Sequence, residues 1–286
     1  MEHPAVALGG GVRMPMLGLS VFRCPPGENT RSVVRTAIEL GYRHIDTARV
    51  YCNEKSTGRG IRDSGIDRSE MFITTKLWRS DFARPRQGLM QSLERLGTDY
   101  VDLFLLHWPF AGYEQAWAEM VELQRAGLCR AIGVCNFRTH HLEQLRRSGA
   151  EVMPQLNQTE CHPECSEEEH LRYLRRCGMV MAARSPLGGE GHTLVHDPRL
   201  MAIARYYRVS TAQVILRWNV QRGVSVIPKS VHPERIRDNA DIFGFELSDI
   251  DMESISSLDR GARRGWDPDL ADRQAVLHAV PLTEEP

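Results

Sequence analysis

The sequence predicts a (β/α)8 barrel of the TIM type, in the α/β class, and three observations carry that expectation. Eight short apolar, β-rich runs alternate with eight amphipathic helical patterns along the 286 residues. Seven of those helical patterns stop at a glycine, the residue that most readily takes the left-handed conformation at a helix end. Runs such as residues 101–106 are almost continuously apolar, as strands buried on both faces must be. The length also fits, since such barrels usually need about 250 residues.

The units follow one another without interruption. Residues 17–22 form the first strand, and 30–40 the helix that Gly41 ends. Strand 44–48 precedes helix 53–64 and Gly65; strand 71–77 precedes helix 84–96 and Gly97. Strand 101–108 leads to helix 113–126 and Gly127, and strand 130–136 to helix 139–147 before Gly149. Strand 155–160 leads to helix 167–177 and Gly178, and strand 179–186 to helix 211–221 and Gly223. Strand 225–229 and helix 233–242 close the series. A doubly wound sheet is the rival, but it would carry a glycine-rich dinucleotide loop after its first strand. That connection reads Arg23-Cys24-Pro25-Pro26-Gly27, and Gly58-Arg59-Gly60 falls inside a helical pattern. Three pieces lie outside the eight units. Residues 6–15, centred on Gly9-Gly10-Gly11, read as a β-hairpin capping the barrel bottom. Residues 198–207 and 248–258 read as two extra helices, the second with Ser248 as N-cap and Asp251 three residues on. No linker or low-complexity tract divides the chain, so residues 1–286 are expected to form one domain.

Composition narrows the function classes. At 42% hydrophobic and 26% charged residues, the chain is globular rather than disordered or fibrous. Lys plus Arg is 36 and Asp plus Glu 37, a net charge of -1 that gives no basic surplus for nucleic-acid binding. The longest apolar run, 101–108, is broken by Asp102 and ends near His107, well short of the roughly 18 residues of a membrane span. The N-terminus lacks a signal-peptide pattern, and the seven cysteines include no Cys-x-x-Cys pair. A reduced, cytoplasmic setting is expected. No coiled-coil pattern signals assembly, so a monomer is the default.

The chain has only three lysines, Lys55, Lys76 and Lys229, against thirty-three arginines. A retained Lys offers what Arg cannot, a compact ammonium able to tune a neighbour. Residues at the C-terminal ends of barrel strands face the active-site mouth. Asp46 ends the second strand with Tyr51 just beyond it, Lys76 closes the third and His107 the fourth. A free phenol titrates near about 10, and a nearby ammonium lowers that value. A buried carboxylate would keep the Lys charged, making Tyr51 a candidate general acid, with His107 to position the same oxygen. Taken singly, Asp46 reads as a turn residue, Tyr51 as loop packing and His107 as a core histidine; it is their convergence that points to chemistry.

The segments Gly41-Tyr42-Arg43-His44-Ile45-Asp46-Thr47-Ala48, Tyr51 and Asn53-Glu54 resemble the signature of the aldo-keto reductases. So do Thr75-Lys76-Leu77-Trp78, Leu106-His107-Trp108-Pro109, Arg130-Ala131-Ile132-Gly133-Val134 with Asn136-Phe137, Ser185-Pro186-Leu187-Gly188 and Ile227-Pro228-Lys229-Ser230. The similarity runs from about residue 6 to 258 and is strongest to short-loop members such as bacterial diketogluconate reductases and kinetoplastid prostaglandin F synthases. It implies NADPH-dependent reduction of small-molecule aldehydes and ketones, without a metal. By the resemblance, Tyr51 protonates the carbonyl oxygen, Lys76 and Asp46 tune it, and His107 orients the substrate. Steroid double-bond reducers of the family carry Glu at the His107 position, so His107 argues for carbonyl reduction. Asn136 and Gln158 match the side chains that hold the carboxamide, and Ser185 and Leu187 match the pyrophosphate loop. Lys229, Ser230 and Arg235 match the clamp on the 2′-phosphate, and Asn239 an adenine contact; a phosphate dianion calls for such charge-assisted donors. Phe22, Val50, Trp78 and Trp108 match the apolar substrate wall. The short loop at 110–112 and a modest C-terminal segment imply a wide, open pocket.

The chain departs from the family pattern at two positions. Cys135 replaces the usual Ser, weakening one expected carboxamide contact. Arg184 replaces the aromatic residue that stacks on the nicotinamide. A guanidinium there disfavours the oxidised, cationic ring, so either NADP+ binding is weak or Arg184 turns away. Arg184 is also the best support for an alternative reading, an NADP-binding regulatory or sensor protein with little turnover. A phosphate-sugar barrel enzyme of another kind has the fold but no use for the Tyr–Lys–Asp set. Cys161, His162 and Cys165 lack a fourth zinc ligand. Residues 167–169 read as an acidic helix start and 172–176 as a solvated face, while Lys55 is expected at the surface.

Overall fold

The computed structural model of the protein describes residues 4–189, 191 and 193–277. An antiparallel hairpin of β1 (Ala5–Gly9) and β2 (Val12–Pro15) opens the chain. Eight parallel strands follow: β3 (Leu19–Ser20), β4 (His44–Asp46), β5 (Phe72–Leu77), β6 (Val101–Leu106), β7 (Cys129–Cys135), β8 (Leu156–Glu160), β9 (Val180–Arg184) and β10 (Ser225–Ile227). Each pairs with the next in sequence order. Leu17 bridges to Val226 across the seam, and Gly18 and Ser20 donate to the Val226 and Pro228 carbonyls at 2.9 and 3.0 Å. The first strand is regular over only two residues, and Ser20 serves both sides, pairing with Asp46 of β4 while donating across the seam.

The helices between strands are α1 (Glu28–Glu39), α2 (Glu54–Asp63), α3 (Pro85–Leu96), α4 (Tyr113–Arg125), α5 (Thr139–Arg147) and α6 (Glu168–Arg176). After β9 come α7 (Pro198–Tyr207) and α8 (Thr211–Gln221), and after β10 come α9 (Pro233–Ala240), α10 (Asp249–Ser256) and α11 (Ala271–Leu277). Every expected barrel element ends within two residues of its predicted bounds. Helix α11 is an addition that the sequence did not announce. It is reached through a short turn at Pro268–Leu270, where the Asp267 side chain accepts from the Asp269 amide.

Burial explains the strand composition. Inside the barrel, Phe72, Leu103, Leu105, Ala131, Leu156, Ala182 and Ile227 pack on Leu8, Val12 and Met14 of the hairpin, which plugs the N-terminal end. On the outer surface Val101, Phe104, Leu106, Ile132 and Val134 pack against the helices. Asp102, which interrupts the apolar run, is buried but accepts from Arg68 at 2.8 Å, Arg130 at 3.0 Å and the Ile73 amide at 2.9 Å, so its charge is fully paired. The Gly58-Arg59-Gly60 pair of glycines lies in α2 as expected, and its purpose is close packing. A Cβ at Gly58 would fall 1.9 Å from the Leu96 carbonyl oxygen, and one at Gly60 2.6 Å from that of Arg31. Among the described residues, no helix is long and apolar enough to cross a membrane.

Candidate active site

Strand register brings the predicted residues to one rim. Asp46 is the last residue of β4, and the 3-10 turn Arg49–Tyr51 carries Tyr51 back over the mouth. Lys76 is the penultimate residue of β5, and His107 follows β6 directly. Lys76 is fully buried. Its Nζ donates to Asp46 Oδ1 at 2.5 Å, to the Thr47 carbonyl at 2.9 Å and to Tyr51 Oη at 3.4 Å. Asp46 Oδ2 accepts from Gln158 Nε2 at 2.8 Å, so the carboxylate is held from two sides. The ring of Tyr51 meets His107 edge-on at 5.7 Å and Phe22 at 5.1 Å.

The electrostatics correct one expectation. Burial pushes the Tyr51 phenol up to about 12; Lys76 works against that rise but does not reverse it, and Asp46 adds to it. Desolvation of the hydroxyl outweighs the neighbouring ammonium, which the residue pattern alone does not reveal. Burial alone would lower Lys76, but the charges of Asp46 and Tyr51 outweigh it and hold the ammonium above its ordinary range. Burial, with Lys76 and Arg184 nearby, holds His107 well below its usual value, so its ring is neutral at pH 7. His107 Nδ1 is buried without a protein partner.

The expected cofactor residues form a second arc along the same rim. Asn136 follows β7 in the left-handed conformation (φ 64°), which Asn tolerates better than most side chains. Its Nδ2 donates to the His107 carbonyl at 3.0 Å and contacts Cys135 Sγ at 3.1 Å; that thiol in turn reaches Gln158 Oε1 at 3.6 Å. Cys135 thus keeps a contact where Ser was expected. Ser185 follows β9, also left-handed (φ 49°), and its carbonyl closes a turn with Gly188 at 2.9 Å. Leu187 is half-buried between two apolar clusters. Lys229 and Arg235 are exposed around the N-terminal end of α9, Ser230 is buried just before that helix, and Asn239 is buried near its C-terminal end. Lys55 is half-buried rather than fully exposed.

Among the substrate-wall candidates, Phe22 is 45% exposed, whereas Trp78 and Trp108 are buried. Phe110 and His107 flank Trp78 at 5.0 and 5.3 Å, and the ring of Trp266 lies 5.5 Å from Trp108 and 6.5 Å from Trp78. The C-terminal segment therefore lies over this part of the mouth, a feature at odds with the wide opening expected from loop length. A clasp at α5 holds it: Arg138 pairs with Asp267 at 2.8 Å and Asp269 at 3.0 Å, and His140 and His141 reach Asp269 at 2.9 and 3.4 Å. This His–His–Asp group has metal-ligand spacing. However, His141 Nδ1 accepts the Arg138 amide at 3.1 Å, which leaves its proton on the Nε2 that faces the carboxylate.

Glu160, the last residue of β8, escaped notice although it occupies the same kind of strand end as Asp46. It is buried and pairs with Arg184 at 3.2 Å and His162 at 3.2 Å. His162 is thereby engaged, while Cys161 contacts the Ser166 carbonyl and Asn219 and Cys165 contacts Glu167, so these three residues bond outward rather than converge. Arg184 also donates to Asn136 Oδ1 at 2.5 Å and leans over Trp108 at 5.6 Å.

Residues 23–260 match the Aldo/keto reductase family model. The chain belongs to the aldo-keto reductase family. It is 45% identical to the morphine 6-dehydrogenase of Pseudomonas putida, covering 98% of this chain and 99% of that protein. It is also 45% identical to the glyoxal reductase of Bacillus subtilis, covering 92% of this chain and 96% of that one. The crystal structure of a Bombyx mori aldo-keto reductase in complex with NADP is 33% identical with a TM-score of 0.88, covering 95% and 98% of the two chains. This aldo-keto reductase is accordingly an oxidoreductase on the (β/α)8 barrel of its family.

Proposed function

We propose that this chain reduces aldehydes and ketones to alcohols with NADPH, with Tyr51 as the proton donor. The observation that carries the reading is the buried ammonium of Lys76, held by Asp46 and aimed at Tyr51 Oη. A phenol at about 12 keeps its proton at neutral pH, so the O–H is present whenever a carbonyl oxygen arrives. As that proton leaves for the oxygen, Lys76 stabilises the phenolate that remains. Asp46 and the Thr47 carbonyl keep the ammonium in place, and Gln158 keeps Asp46 in place. A neutral His107 ring offers an N–H to the same oxygen without placing a second cation there.

The residues present fit the cofactor. Asn136 and Gln158 supply amide groups on the rim, and the left-handed Ser185 opens a turn beside it. Lys229 and Arg235 offer two exposed cations around a helix N-terminus, with Ser230 adding a hydroxyl, which suits a phosphate dianion. Leu187 and Asn239 complete the proposed cradle. When bound, a reduced nicotinamide supplies the hydride for the carbonyl carbon. Phe22, Val50, Trp78 and Trp108 form the proposed substrate wall. Relatives named for glyoxal and for morphine differ greatly in substrate size, which supports broad tolerance. Seven cysteines without a Cys-x-x-Cys pair suit a cytoplasmic setting, and the enzyme is proposed to act as a monomer on small molecules alone.

The other reading, a cofactor-binding sensor with little turnover, is favoured by one observation, the hold of Arg184 on Asn136. Following reduced-nicotinamide absorbance with a panel of aldehydes, ketones and quinones, and with both NADPH and NADH, separates the two. Turnover of several acceptors with NADPH is expected; tight cofactor binding with no oxidation of it across the panel would favour the sensor.

A further inference from the structure

Arg184 makes competing demands on one guanidinium. Its Nε donates to Asn136 Oδ1 at 2.5 Å. Its Nη2 is 3.2 Å from Glu160 Oε2 yet out of hydrogen-bond alignment, and it is buried with no other protein acceptor. The side chain is thus drawn toward Asn136 at the expense of its pairing with Glu160.

Glu160 has a second duty. Its Oε1 accepts the Arg264 amide at 2.6 Å and its Oε2 the Gly265 amide at 2.8 Å. The main chain passes so close that a Cβ at Gly265 would fall 2.6 Å from Arg184 Nη2 and 2.9 Å from Glu160 Oε2. The next residue is Trp266, which covers Trp108 and Trp78. One carboxylate therefore holds both the guanidinium beside Asn136 and the segment that builds the substrate wall.

We propose that Arg184 and Glu160 are positioning residues that couple occupancy of the cofactor site to the seating of residues 264–266 over the substrate wall. The inference rests on the proposed use of NADPH. A carboxamide N–H seeking Asn136 Oδ1 competes with Arg184 for that oxygen. Released from it, the guanidinium can align Nη2 on Glu160, a charge-assisted contact that favours the fixed carboxylate which grips the Arg264 and Gly265 amides. Trp266 is then seated more firmly. The coupling is reciprocal, so a seated segment also favours cofactor binding, by a factor of about ten within the usual range of such linkage.

Hydrogen–deuterium exchange of the full chain, with and without NADPH, tests this. In the wild type NADPH slows exchange across residues 262–270. Glu160→Gln and Arg184→Met still bind NADPH, but the slowing at 262–270 is lost, and KM for the carbonyl substrate rises about tenfold while kcat stays within about threefold. A purely structural role for Glu160 would speed exchange equally with and without NADPH and leave the NADPH-dependent slowing intact in Arg184→Met; that result overturns the coupling. So does unchanged exchange in a wild type that binds NADPH and reduces carbonyls. A wild type that fails to bind NADPH overturns the cofactor reading, and this coupling with it. Should Glu160→Gln not fold, Arg184→Met alone decides.

Discussion

Replacing Lys76 with Met removes the ammonium 3.4 Å from Tyr51 Oη while keeping an unbranched side chain. Two unit charges at that distance interact by about 5 kcal/mol at an effective dielectric of about 20. With roughly half of the phenolate charge developed in the transition state, the loss is about 2.5 kcal/mol, or roughly seventyfold in kcat. The same change strands the Asp46 carboxylate, which is 1% exposed. Removing one member of a buried pair costs about 3–5 kcal/mol of stability, or on the order of 10 °C in Tm. The double variant Asp46→Asn, Lys76→Met takes away both charges, so it regains most of the Tm but remains slow. Steady-state kinetics with NADPH and an aldehyde, alongside thermal unfolding, read out both effects. A folded Lys76→Met enzyme within threefold of wild-type kcat would refute the electrostatic account, as would a double variant that regains rate together with stability.

Tyr51→Phe should lower kcat by about 10²- to 10⁴-fold, while NADPH affinity measured by fluorescence titration is unchanged. Lys229→Met and Arg235→Met should each raise KM for NADPH by about 10- to 100-fold and leave KM for NADH nearly constant, since each removes a charge-assisted contact worth about 1.5–3 kcal/mol. Because Glu160 offsets the charge of Arg184, Arg184→Tyr is expected to change NADP+ affinity by less than about tenfold. Hydrogen bonds from His162, the charge of Arg184 and two main-chain amides overcome the effect of burial and hold Glu160 down to about 2, against an ordinary 4.5. Its folded pKa is depressed, so its contribution is complete above about 4.5 and is lost as pH falls toward 2, on the order of 3 kcal/mol in all. Acid unfolding of wild type and Glu160→Gln should therefore converge only as pH approaches about 2.

Much of this was legible because barrel physics writes itself into local patterns. Seven glycine stops marked the helices, and strand ends marked the rim, so Asp46, Lys76 and His107 could be assembled from separate segments. What escaped depends on contacts between distant segments. Helix α11 and Trp266 gain their place from Arg138, His140 and His141, more than a hundred residues away, and their own sequence carries little periodicity. Glu160 looked like one more strand residue beside a conspicuous Cys-His pair. The direction of the Tyr51 shift could not be read at all, because it depends on how deeply the hydroxyl is buried.

The hairpin plug has a consequence for engineering this enzyme. Leu8, Val12 and Met14 fill the end of the barrel opposite to the rim residues, so the two ends answer to different pressures. Libraries confined to the plugged end should sort by heat resistance with turnover nearly constant, whereas libraries at the open end should sort by substrate preference. Thermal hardening and retargeting can thus proceed as separate campaigns on one scaffold and be merged afterwards.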